Sequence, residues 1–256
     1  MKTNNILATV SFHIKTWIMA LSPIAFGLLT TLILLIPIVL LFDIGETATN
    51  PIVFMILTSS EMLVLGLGTL GFIYALSKSG KYDYFSLIHW RKLSFNQIKW
   101  IGICTFLLLA VNVIFGLVLT YLNLELAENA ITQVSEISPV YLLYLIPIML
   151  LVVGPMEELL FRGVLQGVLR KSYGLKISII ATSILFGLIH LPAVGGISQG
   201  GMLYVLTTIA LSIILGYIYE LKESLIIPMV AHGVYNSILV VGLYYQMTAD
   251  LTLTIL

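Results

Sequence analysis

Charge is scarce in this chain: Asp, Glu, Lys and Arg make up 9% of its 256 residues, while 59% are hydrophobic. With a mean hydropathy of +1.08, that scarcity excludes an ordinary soluble domain and implies a polytopic membrane protein. No sign of charge is in excess, since twelve bases balance twelve acids, so nothing argues for a nucleic-acid partner. Cysteine is nearly absent. Cys104 stands alone in an apolar run, which excludes a disulfide framework, a thiolate metal cluster and a C-terminal prenylation box. There is no internal repeat with a period of about 20 to 50 residues, no low-complexity tract and no segment polar enough for a soluble domain. Residues 1–256 therefore read as one integral membrane domain.

What is present is a series of long apolar runs. About 20 residues at about 1.5 Å each cross the hydrocarbon, and seven segments qualify: Trp17 to Phe42, Pro51 to Leu76, Trp100 to Leu122, Val140 to about Lys171, Leu175 to Leu191, Met202 to Glu220, and Leu225 to Tyr245. The fourth is too long for one plain span and should kink at Gly154-Pro155, which would raise the count to eight. The first outruns a signal-peptide core and lacks a small-residue cleavage site after it, so it reads as a retained span. The expected fold is an all-α transmembrane bundle of seven to eight spans.

The few charges are ordered along the chain. Lys2 and Lys15 precede the first span; Lys78, Lys81, Arg91, Lys92 and Lys99 fill the second connection; Arg170, Lys171 and Lys176 fill the fourth; Lys222 marks the sixth. The alternate connections carry Asp43, Glu46, Glu125, Glu128 and Glu136, and the tail carries Asp250, without a single base. The positive-inside rule then puts the N-terminus in the cytoplasm and the C-terminus outside. Tyr82, Tyr84 and Trp90 beside Arg91 and Lys92 suggest an interfacial segment with its rings at headgroup level.

Ionisable groups within the spans cost several kcal/mol each even on modest scales, and so mark a site. Glu157, Glu158 and Arg162 lie on the fourth span, His190 ends the fifth, His232 and Asn236 lie on the seventh, and Glu61 is isolated on the second. Glu158 and Arg162 are four residues apart on one helical stripe and can pair, whereas Glu157 is turned about 100° away and is free to act as a general base. Phe186 with His190, and His232 with Asn236, share faces by the same spacing. Counted from Arg170, Lys176 and Lys222, the residues Glu157, His190, His232 and Asn236 all lie roughly 15 to 21 Å deep. Glu61 reads as a protonated side chain bonded near Thr58 or Ser59, and His13 and His89 as surface groups.

The three patterns EExxxR (Glu157-Glu158 to Arg162), FxxxH (Phe186 to His190) and HxxxN (His232 to Asn236) occur in order between about residues 140 and 245. In this the chain resembles the CPBP family, the CAAX-processing and bacteriocin-processing intramembrane proteases. That group is also called the Abi or type II CAAX prenyl endopeptidase family and includes the Ras-converting enzyme. The resemblance implies a membrane-embedded endopeptidase acting on a membrane-associated or prenylated peptide or protein. Glu157 with His190 would activate water, His232 and Asn236 would hold the carbonyl oxygen, and Glu158, Arg162 and Phe186 would support them. A metalloprotease version would place one divalent ion, zinc first, on Glu157, His190 and His232; the sequence contains no HExxH helix to decide for it. The non-enzymatic alternative is a bacteriocin-immunity or membrane-interaction protein of the same fold, and a proton-coupled transporter is a third. The plasma membrane of a prokaryote is the expected location.

Overall fold

Apolar helices form here because backbone polar groups in hydrocarbon must be satisfied within the segment. In a computed structural model the described residues are 2–41, 51–129, 131–132 and 139–255, and their regular structure is entirely helical. Phe42, Asp43, Glu46 and Glu136 lie outside the described residues. The helices are α1 (Lys2–Leu41), α2 (Pro51–Lys78), α3 (Phe95–Tyr121), α4 (Val140–Tyr173), α5 (Leu175–Leu188), α6 (Gln199–Lys222) and α7 (Ile226–Ile255). Ser94 caps α3 by accepting from the Gln97 amide, and Ser198 caps α6 by accepting from Gly201; hydroxyl caps satisfy amides that a helix start leaves open.

Among the described residues six of these helices are long and apolar enough to cross a bilayer, and the protein is an integral membrane protein. That count roughly matches the expected seven to eight; the seventh candidate, α5, is a shorter apolar helix of 14 residues that reaches about 21 Å. Its chain leaves the helix at Ile189, turns through a short 3-10 segment (Pro192–Val194) and passes Gly195 and Gly196, both at positive φ. Proline cannot continue the ladder, and glycine alone takes those angles cheaply, so the helix stops early.

The long fourth segment is the centre of the bundle. Pro147 and Pro155 remove two amide donors from its ladder, and two π-helical stretches, Met149–Val153 and Leu159–Gln166, flank Gly154–Glu158, where the sequence predicts a kink. Every residue from Glu157 to Leu169 is buried, because α1 and α2 cover one side of α4 while α5, α6 and α7 cover the other. By contrast α3 exposes Phe106, Leu117 and Val113, the surface of a lipid-facing helix.

The contact between α4 and α7 is backbone on backbone. A Cβ on Gly154 would stand 2.7 Å from the Gly233 nitrogen, and one on Gly233 would stand 2.8 Å from Leu150 Cα. Small residues permit such approach in membranes, where packing replaces hydrophobic drive. Ser237 Oγ adds a bond to the Ile146 carbonyl at 3.3 Å, and Thr105 Oγ1 of α3 reaches the Ala231 carbonyl at 3.4 Å. The register of α7 is therefore held from two sides.

The bases gather at one end of the bundle. Arg170 pairs with Glu220 at 2.7 Å, Arg91 pairs with Glu223 at 2.6 Å, and Lys171 lies over the Tyr82 ring. The segment between α2 and α3 differs from the interfacial expectation. Tyr84 is 1% exposed, with its hydroxyl on the Met19 carbonyl at 2.9 Å, while Trp90 remains exposed. His89 is half-buried rather than a surface group: its amide meets the Tyr219 hydroxyl and its carbonyl accepts from Leu225. His13 is exposed, stacked on Tyr173.

Gly233→Leu should lower stability by about 1–3 kcal/mol, the usual penalty of overpacking, read as a lower melting temperature in detergent. A native melting curve would mean that α4 and α7 separate freely.

Candidate active site

The close α4–α7 contact brings His232, the neighbour of Gly233, onto the two carboxylates. Its Nδ1 lies 2.9 Å from Glu158 Oε1, and its Nε2 lies 3.8 Å from Glu157 Oε2. A carboxylate can only accept at this position, so Nδ1 carries the proton and Nε2 is the atom turned to Glu157. Glu158 also meets Arg162: Nε stands 3.1 Å from Oε2, and both side chains are fully buried. Pairing along one helical stripe is thus what the structure contains. The sequence spacing did not reveal that Glu158 uses its other oxygen for His232.

Arg162 has a second anchor. Its Nη2 donates to Ser212 Oγ at 3.1 Å and to the Ser212 carbonyl at 3.3 Å, both on α6. Its guanidinium carbon lies 4.9 Å from the centre of the Phe186 ring, a cation on an aromatic face in a dry environment. Phe186 is the hub between elements. It meets Phe161 edge-on at 4.9 Å, His190 at 4.8 Å and His232 at 5.9 Å.

The FxxxH spacing acquires a local cause at the end of α5. The His190 amide bonds to the Gly187 carbonyl in the tightened last turn, so the Phe186 carbonyl loses its usual helical partner. The His190 ring supplies the replacement: Nδ1 lies 2.6 Å from that carbonyl oxygen. A carbonyl accepts only, which puts the proton on Nδ1 and leaves Nε2 of the neutral ring with its lone pair free.

Glu157, Glu158, Arg162 and His232 are therefore brought into one buried cluster, with Phe186 and His190 alongside. Glu157 and His190 make no direct polar contact within 4 Å among the described residues. Asn236 is half-buried one turn further along α7, and its amide faces Met149 Sδ at 4.0 Å. Glu61 is an exposed side chain on α2, and the expected bond to its neighbours is not seen: Ser59 Oγ donates instead to the Met55 carbonyl. No three His, Cys, Asp or Glu side chains form a metal-holding group among the described residues. Glu157, His190 and His232 as placed therefore do not converge as a ligand set, although each imidazole commits only Nδ1 and keeps Nε2.

Two contributors escaped the sequence reading. Ser212 lay within an apolar run with nothing to distinguish it from a helix-packing serine. Tyr204 of α6, whose ring is 6.4 Å from that of His190, offered only an aromatic in a span.

A bundle of apolar helices enclosing two carboxylates, a guanidinium and two tautomer-fixed imidazoles has the components of a water-activating site within a membrane. Residues 139–238 match the family described as Type II CAAX prenyl endopeptidase Rce1-like, and this stretch is a domain of that family within the CPBP group. No curated protein and no solved structure matches the chain.

Arg162→Ala strands Glu158 without its cation and should destabilise the protein by about 3–5 kcal/mol. Arg162→Lys should recover part of this, because an ammonium cannot span Glu158 and Ser212 as the guanidinium fork does. Thermal unfolding in detergent measures both, and unchanged melting of the alanine variant would contradict the assignment.

Proposed function

We propose that the protein is an intramembrane endopeptidase that hydrolyses a peptide bond in a membrane-associated or prenylated, CAAX-type substrate. The observation that carries this is the placing of His232 Nε2 3.8 Å from the Glu157 carboxylate, in a buried cluster where Glu158 fixes the ring. Glu157 and the His232 ring thus face one point, where the carboxylate can hold a water and the ring can meet the carbonyl oxygen that the attack charges. The Rce1-like domain at residues 139–238 supports the same chemistry.

Glu157 serves as the base. It takes a proton from water as the oxygen attacks the scissile carbonyl carbon, and passes that proton to the leaving amine nitrogen when the C–N bond breaks. His190, its Nδ1 held by the Phe186 carbonyl, presents Nε2 as the second acceptor for the water. The oxyanion is received by His232 and Asn236. For Nε2 of His232 to donate, the ring must be doubly protonated, and Glu158 at Nδ1 is the anion that sustains that form. Asn236 has Met149 Sδ as its recorded neighbour, a weak acceptor, so its amide turns at little cost. Burial strengthens each of these interactions by excluding water. The bases at one end of the bundle support a cytoplasmic placing of that end and of the N-terminus.

Glu157→Gln should lower cleavage by about 10²- to 10⁴-fold, the usual contribution of a positioned base, with melting in detergent close to native. His190→Ala should act likewise. Peptide profiles of membranes carrying the native protein or Glu157→Gln measure this and reveal the substrate. Undiminished turnover in a folded Glu157→Gln protein would overturn the assignment. Because the donors do not converge on an ion, native turnover should survive a chelator in the same assay.

A further inference from the structure

At the basic end of the bundle, away from the carboxylate cluster, a cavity of about 170 Å³ opens among Arg91, Lys92, Ser94, Gln97, Trp100 and Lys222. Its walls come from the α2–α3 connection, the first turns of α3 and the end of α6. The volume is many times the roughly 10–15 Å³ that holds one water, which is room for a small polar group.

Three cations on one small cavity repel each other unless an anion joins them. Glu223 meets Arg91 at 2.6 Å, with both side chains more than half exposed, so one positive charge is offset in part. Lys222 is placed differently. Its Nζ lies 3.6 Å from the centre of the Trp100 ring, a contact that holds the ammonium in place without neutralising it. Lys92 is exposed at the rim, and no carboxylate pairs with it or with Lys222 among the described residues. The wall also contains an unmet acceptor. Gln97 is 6% exposed and donates through Nε2 to Ser224 Oγ at 3.1 Å, while its Oε1 is buried without a hydrogen-bond partner.

The surroundings indicate where the cavity opens. Trp90, Leu93 and Phe95 are 63%, 56% and 86% exposed next to Arg91 and Lys92. Exposed rings beside bases at the end of a span are the signature of the headgroup layer. We propose that this cavity binds a phosphate group of net negative charge, presented by an anionic phospholipid headgroup or by a soluble phosphate. Lys92 and Lys222 supply the charge, and Gln97 Oε1 accepts from a hydroxyl accompanying the phosphate. A lipid held this way ties the α2–α3 connection to the α6–α7 turn.

The test uses the full-length protein in nonionic detergent, titrated with short-chain phosphatidylglycerol, short-chain phosphatidylcholine or inorganic phosphate. Melting temperature and the fluorescence of Trp100, which lies beneath Lys222, are followed. Phosphatidylglycerol should give a saturable rise in both. Lys92→Gln should weaken that response about fivefold, with a larger loss in the Lys92→Gln, Lys222→Gln double variant, since each base near the surface contributes about that factor. Lys92 is exposed, so the single variant keeps the test informative if the double variant folds poorly. Lys81→Gln removes the same charge from another part of this end and should leave binding unchanged. A response to phosphatidylglycerol alone assigns a lipid; a response to inorganic phosphate as well assigns a soluble source. No saturable response to either, an equal response to phosphatidylcholine, or an equal loss in Lys81→Gln would overturn the proposal.

Discussion

The structure depends on keeping one ion pair out of water. Glu158 and Arg162 are both fully buried within α4, and two isolated ions in a low-dielectric interior would each carry a penalty of several kcal/mol. The penalty is offset in part by partners from several sides, although Arg162 Nη1 is buried without a hydrogen-bond partner. Arg162 has Glu158, the hydroxyl and carbonyl of Ser212, and the face of Phe186; Glu158 has Arg162 and His232. These partners come from α5, α6 and α7, so satisfying one pair determines how three other helices sit around α4.

Geometry follows from that constraint. His232 reaches Glu158 only because α7 touches α4 at the backbone, which Gly154 and Gly233 permit. The ring that satisfies Glu158 through one nitrogen necessarily turns the other towards Glu157. On the opposite flank α5 ends early, and the carbonyl freed at Phe186 is taken up by His190. Both histidines are thus held by their Nδ1 atoms on acceptors that fix the tautomer, and both offer Nε2. The bonds that hold α5 and α7 in place are the same bonds that fix the two rings.

The basic end of the bundle has a separate organisation. Tyr84 on Met19, His89 on Tyr219 and Leu225, and the Arg91–Glu223 pair knit the α2–α3 connection onto α1, α6 and the α6–α7 turn, while Arg170–Glu220 joins α4 to α6. That connection is a packed part of the bundle. The aromatic residues that looked interfacial divide between core and surface, with Tyr84 inside and Trp90 outside.

The amino-acid sequence by itself determined the helical class, the approximate span limits, the pairing of Glu158 with Arg162 and the list of polar residues worth watching. Hydropathy and a spacing of four are local properties, set by the hydrocarbon and by the pitch of one helix. It overestimated α5, because a run of apolar letters does not distinguish helix from the turn that Pro192 and the positive-φ glycines impose. Only the tertiary structure decided that Glu158 is shared between Arg162 and His232, that Ser212 takes up Nη2 of the guanidinium, and that Asn236 faces Met149. Each of those contacts joins residues roughly 50 to 90 positions apart. Their partners are selected by how closely two helices approach and in what register, and no local pattern along one helix encodes either.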